Sequence, residues 1–184
     1  MKATDILNRE HGLILQALED LAGARDQIES GQPPPKEFFE KALQFLGEFA
    51  DKFHHFKEEY LMFGLLALKK EGAFDGPIGV LRYQHERCRK CINEMAKSLK
   101  GYADGDDIAI TNLLENLAAY ISLLRRHIHE EDGTFFQMAA QELSKEEEEI
   151  LFKQFKKEDE KMGGQKFYDK CRNLIDEMDA LLNR

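Results

Sequence analysis

Apolar residues recur along this chain at alternating three- and four-residue intervals, the spacing that lays a single stripe along an α-helix. One row runs through Leu7, His11, Ile14, Leu18 and Leu21, and a second through Gly47, Ala50, His54, Glu58, Leu61, Leu65 and Leu68. A third follows Ile78, Leu81, His85, Cys88, Ile92, Met95 and Leu99; a fourth follows Leu113, Leu117, Tyr120, Leu124, His127, Glu131, Phe135 and Met138. No stretch alternates with the two-residue period of a half-buried strand. The rows break at Gly31-Gln32-Pro33-Pro34-Pro35, at Glu71-Gly72-Ala73-Phe74-Asp75-Gly76-Pro77, and at Gly101-Tyr102-Ala103-Asp104-Gly105-Asp106-Asp107, all rich in turn-forming residues. Gly76-Pro77 fits a helix start, because proline at the first helical position gives up an amide that has no intrahelical partner. Ser144-Lys145-Glu146-Glu147 has the capping-box form, in which serine and glutamate satisfy each other's end amides.

The pattern predicts helices over residues 4–29, 36–70, 77–100 and 107–141, with shorter ones over 145–160 and 165–183. Long helices with short connections point to an all-α fold, an up-down-up-down four-helix bundle over residues 1–142. Residues 143–184 read as a short C-terminal helical extension that docks through Phe152, Phe155, Phe167 and Leu174. Beyond Ser144 the Glu/Lys-rich faces read as solvated surface and carry no recognisable chemistry.

Length and charge narrow the function classes. A chain of 184 residues suffices for one domain that buries roughly 70% of its unfolded surface. Its net charge of −9 repels phosphate backbones and argues against nucleic acid as a partner. Neither a signal-like apolar segment near the start nor a bilayer-length apolar run is present, so the expectation is a soluble, cytoplasmic protein with no membrane partner. Cys88, Cys91 and Cys171 are too few and too unevenly spaced for a disulfide framework. The Cys88-x-x-Cys91 pair has no second pair to complete a zinc site and reads as small helix residues. The acidic run Asp104–Asp107 lacks the glycine that a calcium loop needs and reads as a turn and helix cap.

The chemistry lies inside the rows. His11 and His85 each occupy a position that faces a core, where a lone histidine is more often hydrogen-bonded than ligating. His54 and His127 are each followed four residues later by a glutamate, Glu58 and Glu131, within an otherwise apolar row. Positions four apart lie one above the other on a helix, so each pair presents an imidazole and a carboxylate to one point. An ionised glutamate facing a core costs several kcal/mol if left without a partner. Four inward histidines and two inward glutamates make a complete ligand set for two metal ions: His11, His54, Glu58, His85, His127 and Glu131. His55 and Glu59 repeat the spacing on a largely polar row, and His129 shares a polar side with Arg125, Arg126 and Asp132. These read as surface residues or as partners that orient the ligands.

These motifs resemble the hemerythrin-like, or HHE cation-binding, family over residues 1–142. The resemblance is carried by Glu10-His11, His54-His55-Phe56-Lys57-Glu58-Glu59, Gly76-Pro77-Ile78-Gly79-Val80 leading to His85, and His127-Ile128-His129-Glu130-Glu131-Asp132. It implies two iron ions in a non-haem, oxo- or hydroxo-bridged diiron centre, with Glu58 and Glu131 as bridges and dioxygen, nitric oxide or peroxide as the small ligand. Oxygen carriers of this family have a second histidine one turn after the first on the third helix, where this chain has Arg89. A five-histidine shell is therefore not expected. Four histidines and two glutamates resemble members associated with nitric-oxide stress and iron–sulfur repair. The leading expectation is small-molecule binding, with peroxide or nitric-oxide reduction and iron storage or sensing as rivals.

Overall fold

A computed structural model of the chain describes residues 2–69 and 72–183. Among these residues it forms six helices and no strand: α1 (Ala3–Glu29), α2 (residues 36–66), α3 (Asp75–Asp104), α4 (residues 107–142), α5 (Lys145–Lys161) and α6 (Gln165–Leu182). None of the described helices is long and apolar enough to cross a membrane. The limits follow the sequence pattern closely, with three differences, one being that α3 runs on to Asp104 instead of ending at residue 100. Helix α3 begins at Asp75, so Pro77 lies within the first turn, where its missing N–H still costs no intrahelical bond. Helix α2 ends at Leu66, while residue 70, its predicted end, falls outside the described residues.

The terminators act as their residue types require. Gly105 ends α3 at φ 74, a left-handed conformation that glycine adopts without a Cβ penalty. The Asp106 carboxylate accepts from the Ile108 N–H at 2.9 Å and caps α4, so the acidic run is a turn and a cap. Ser144 Oγ accepts from the Glu147 N–H at 3.2 Å, and the Glu147 carboxylate accepts from the Ser144 N–H at 2.8 Å.

Two helices depart from α geometry where the chemistry lies. Leu46–His55 and Lys57–Met62 within α2, and Glu131–Phe135 within α4, are π-helical. Bonding from i to i+5 widens the turn, and such segments are frequent at functional sites. The wider turn changes which residues face inward. Ala50, His54 and Glu58 are buried as their row predicts, but the buried face then passes to Met62 and Leu66. Leu61 and Leu65 are left half-buried, and Leu68 is exposed.

Two apolar clusters enclose a polar layer. One contains Leu13, Leu18, Phe49, Phe53, Cys88 and Leu124; the other contains Leu7, Met62, Phe63, Leu81, Phe135 and Phe136. The buried histidines and glutamates of each long helix lie between these clusters: between Leu7 and Leu13 on α1, Phe53 and Met62 on α2, Leu81 and Cys88 on α3, and Leu124 and Phe135 on α4. Helix α5 adds Leu151 and Phe155 to the second cluster, and α6 adds Phe167, Leu174 and Met178 to the first. All three cysteines are free and buried. Burial pushes the Cys88 and Cys171 thiols up to about 12, which suppresses the thiolate needed for metal binding or redox chemistry.

Phe49 is fully buried, and its ring lies 5.2 Å from Phe45, 5.4 Å from Phe53, 6.1 Å from Phe167 and 5.8 Å from Tyr168. Phe49→Ala should therefore remove about 3–5 kcal/mol of stability by emptying the seam between α2 and α6. Denaturant unfolding monitored by circular dichroism measures this, and a loss below about 1 kcal/mol would mean that the seam closes without the ring.

Candidate metal centre

Five histidines converge in the polar layer: His11 from α1, His54 and His55 from α2, His85 from α3 and His127 from α4, none more than 2% exposed. Each uses its Nδ1 to reach an acceptor on the outer side. His11 Nδ1 lies 2.7 Å from Asp132, His54 Nδ1 3.0 Å from Glu10, His55 Nδ1 3.4 Å from Asp51, and His85 Nδ1 2.6 Å from Glu59. His127 Nδ1 lies 2.7 Å from Gln84 Oε1, and the Gln84 amide nitrogen donates to Glu130, which fixes the amide's direction. A nitrogen facing a carboxylate or amide oxygen must carry the proton. In its neutral form, each imidazole therefore turns the lone pair on Nε2 inward.

Two carboxylates meet those lone pairs. Glu58 Oε1 is 3.3 Å from His54 Nε2 and 4.0 Å from His11 Nε2, while Oε2 is 3.4 Å from His85 Nε2. Glu131 Oε2 is 3.3 Å from His11 Nε2 and 3.1 Å from His127 Nε2, and the Nε2 atoms of His85 and His127 approach to 3.0 Å. Both oxygens of Glu58, both of Glu131, and Nε2 of His11 and His55 are buried without a hydrogen-bond partner. Lone pairs and carboxylates turned toward one another in a low-dielectric interior repel unless a cation lies among them. The donor atoms fall into two groups, each within 4.8 Å of one another: His11, His54, Glu58 and Glu131, and His55, Glu58, His85 and His127. Glu58 belongs to both. This donor set fits two cations separated by a carboxylate that faces both.

The titration of these groups follows the crowding. Burial and the facing Glu131 charge push Glu58 up. For Glu131, burial acts upward too, but His127 and His11 outweigh it and hold the carboxyl well below the usual range. Burial disfavours the His54 cation, yet Glu58 and Glu10 lift it to about 10. Burial, reinforced by the neighbouring His54 and His127, pushes His55 down to about 3.

All six residues expected from the rows are buried in this layer. Of the two expectations for His55, a surface residue or a partner that orients the ligands, the surface one requires correction. His55 is 2% exposed, and its ring stacks on His85 at 3.8 Å with an interplanar angle of 14°. The π turn brings adjacent His54 and His55 inward together, which an α-helical row cannot represent. The available signal was the Asp51–His55 spacing of four, an acceptor one turn before a histidine. Arg89, which stands where a second histidine on the third helix would lie, contacts Asp51 at 2.7 Å and Glu59 at 2.6 Å through its guanidinium, the acceptors for His55 and His85. His129 is exposed.

Comparison with known proteins adds independent support. The sequence profile of the hemerythrin HHE cation-binding domain matches residues 2–139. Uncharacterized proteins of Mycobacterium bovis and of two Mycobacterium tuberculosis strains are 26% identical over 134 residues, which is 73% of this chain and 52% of theirs. The chain thus spans about half the length of the curated relatives it matches. No solved structure matches.

The opposed shifts of His54 and His55 give the metal-free protein a stability optimum. His54 is raised from 6.5 to about 10, so its contribution is complete below pH 6.5 and lost as pH rises through 10. His55 is lowered from 6.5 to about 3, so its contribution is complete above pH 6.5 and lost as pH falls toward 3. Denaturant unfolding of chelator-treated protein across this range should show stability falling on both sides of neutrality. His54→Gln should flatten the alkaline limb and His55→Gln should weaken the acid limb; limbs unchanged by these substitutions would contradict the assignment.

Proposed function

Because the chain belongs to the hemerythrin HHE cation-binding family, we propose that its polar layer holds two iron ions and binds dioxygen or a related small diatomic molecule. The observation that carries this reading is the uniform anchoring of five imidazoles by Nδ1, which leaves five Nε2 lone pairs and two carboxylates facing one space. In this reading α1 to α4 form the up-down-up-down bundle, and His11, His54, Glu58, His85, His127 and Glu131 are ligands, with His55 added. When bound, the iron pair supplies Lewis acidity, electrons and open coordination positions for a small ligand.

The chain's residues govern access and bias. His55, His85 and His127 give one side three imidazoles beside Glu58, whereas His11 and His54 give the other side two imidazoles beside Glu58 and Glu131, so the two sides differ in imidazole and carboxylate content. Glu58 belongs to both sides, and Glu131 on the His11–His54 side also approaches His127 Nε2 at 3.1 Å. Phe136 lies parallel to the His11 ring at 5.6 Å, and Phe63 lies parallel to the His85 ring at 6.1 Å. With Leu7, Met62 and Phe135 they close one end of the layer with apolar surface, which excludes water and favours uncharged diatomics. With His55 as a fifth imidazole the shell would be less open than four histidines leave it, which supports oxygen binding over peroxide or nitric-oxide reduction.

Anaerobic titration of chelator-treated protein with ferrous iron should reach two equivalents per chain. His54→Ala and His55→Ala should each lose metal, while His129→Ala and a triple Cys→Ser variant should retain it. Equal retention by His55→Ala would return His55 to the outer layer. Uptake should release the proton that His54 holds below about pH 10 and should weaken as pH falls, because bound imidazole must be deprotonated. Exposure of the iron-loaded protein to dioxygen should give an absorption change that reverses under vacuum. Sustained consumption of peroxide or nitric oxide would replace oxygen binding with reduction, and failure to bind iron would overturn the reading.

A further inference from the structure

Glu10 accepts from His54 Nδ1 through Oε2 at 3.0 Å, and its other oxygen is held from elsewhere. Oε1 accepts from Lys57 Nζ, and from the Tyr168 hydroxyl at 2.7 Å. Lys57 and Glu10 are both 0% exposed. The ammonium also donates to Asp159 at 2.7 Å and lies 3.6 Å from the centre of the Phe53 ring. Asp159 belongs to α5 and Tyr168 to α6, both beyond residue 139, where the match to the family ends. Two helices outside that match thus converge on the carboxylate that orients one histidine.

Stability does not account for this cluster. A buried lysine between two carboxylates gains little over apolar residues of similar size, because desolvation offsets the ion-pair attraction. Its geometry does define an orientation. With Oε1 fixed by two donors, the carboxylate cannot rotate, so Oε2 remains aimed at His54 Nδ1 and the lone pair on Nε2 stays inward. We propose that Lys57, Asp159 and Tyr168 are positioning residues for His54, so that the C-terminal helices are part of the metal centre and govern its His11–His54 side. This inference rests on the metal-binding reading above. The opposite side has its own cation, Arg89, between Asp51 and Glu59 on α2, and none of these contacts comes from the C-terminal helices.

The two sides can be tested against each other with cobalt(II) as the probe. Tyr168→Phe removes one hydroxyl and keeps the ring, which packs 5.5 Å from Phe53, and Asp159→Asn removes one charge. In the 184-residue chain, each should weaken one of two cobalt binding steps about 10- to 100-fold, the range for losing an outer partner of a ligand histidine. The other step should be unchanged. The hyperfine-shifted Nδ1–H resonance of His54 should move, while those of His55, His85 and His127 stay in place. Arg89→Gln should give the reverse pattern. Two unchanged steps in both variants, or equal weakening of both steps, would overturn the inference and leave the metal reading standing. A wild-type protein that takes up no cobalt or iron would instead remove the metal reading itself.

Discussion

The structure depends on the approach of Glu58 and Glu131 within a layer sealed by apolar side chains. The oxygens of both carboxylates are buried without a hydrogen-bond partner, and both face imidazole Nε2 atoms. Water cannot screen them, because the clusters above and below are close-packed with Phe, Leu and Met. In the metal-free chain protons relieve this repulsion in part, which is why His54 binds a proton strongly while Glu58 is pushed toward its neutral form. Cations at the two donor groups would relieve it on both sides at once. Folding and metal binding are therefore two expressions of the same electrostatic constraint.

Helix geometry makes that constraint attainable. An α-helix offers one inward position per turn along a narrow stripe, whereas the π turns of α2 place His54, His55 and Glu58 inside together. In α4 the π segment begins at Glu131 itself. Both departures coincide with carboxylates that face each other across the layer.

Around this layer the imidazoles share one construction and differ in what supports it. Each Nδ1 is fixed by an acceptor, but Asp51 and Glu59 lean on Arg89, whereas Glu10 leans on Lys57 and Tyr168. The two sides of the centre are therefore unequal in imidazole number and in the elements that hold them.

Periodicity in the sequence located the four long helices and the two C-terminal ones, because the three- and four-residue recurrence of Leu, Ile and Phe reflects a local geometric rule. It also singled out His11, His54, Glu58, His85, His127 and Glu131, since a charged or titratable residue inside an apolar row contradicts its surroundings. His55 reads as a surface residue or an orienting partner because its row is polar by α-helical spacing, and only the π turn rotates it inward. Asp159 and Tyr168 escaped for a different reason: they lie more than a hundred residues from Glu10 in a segment with no motif. Local spacing determined which residues share a face. Which distant residue donates to which carboxylate was decided only when packing brought α5 and α6 against α1 and α2, because a hydrogen bond between remote residues leaves no period in the chain.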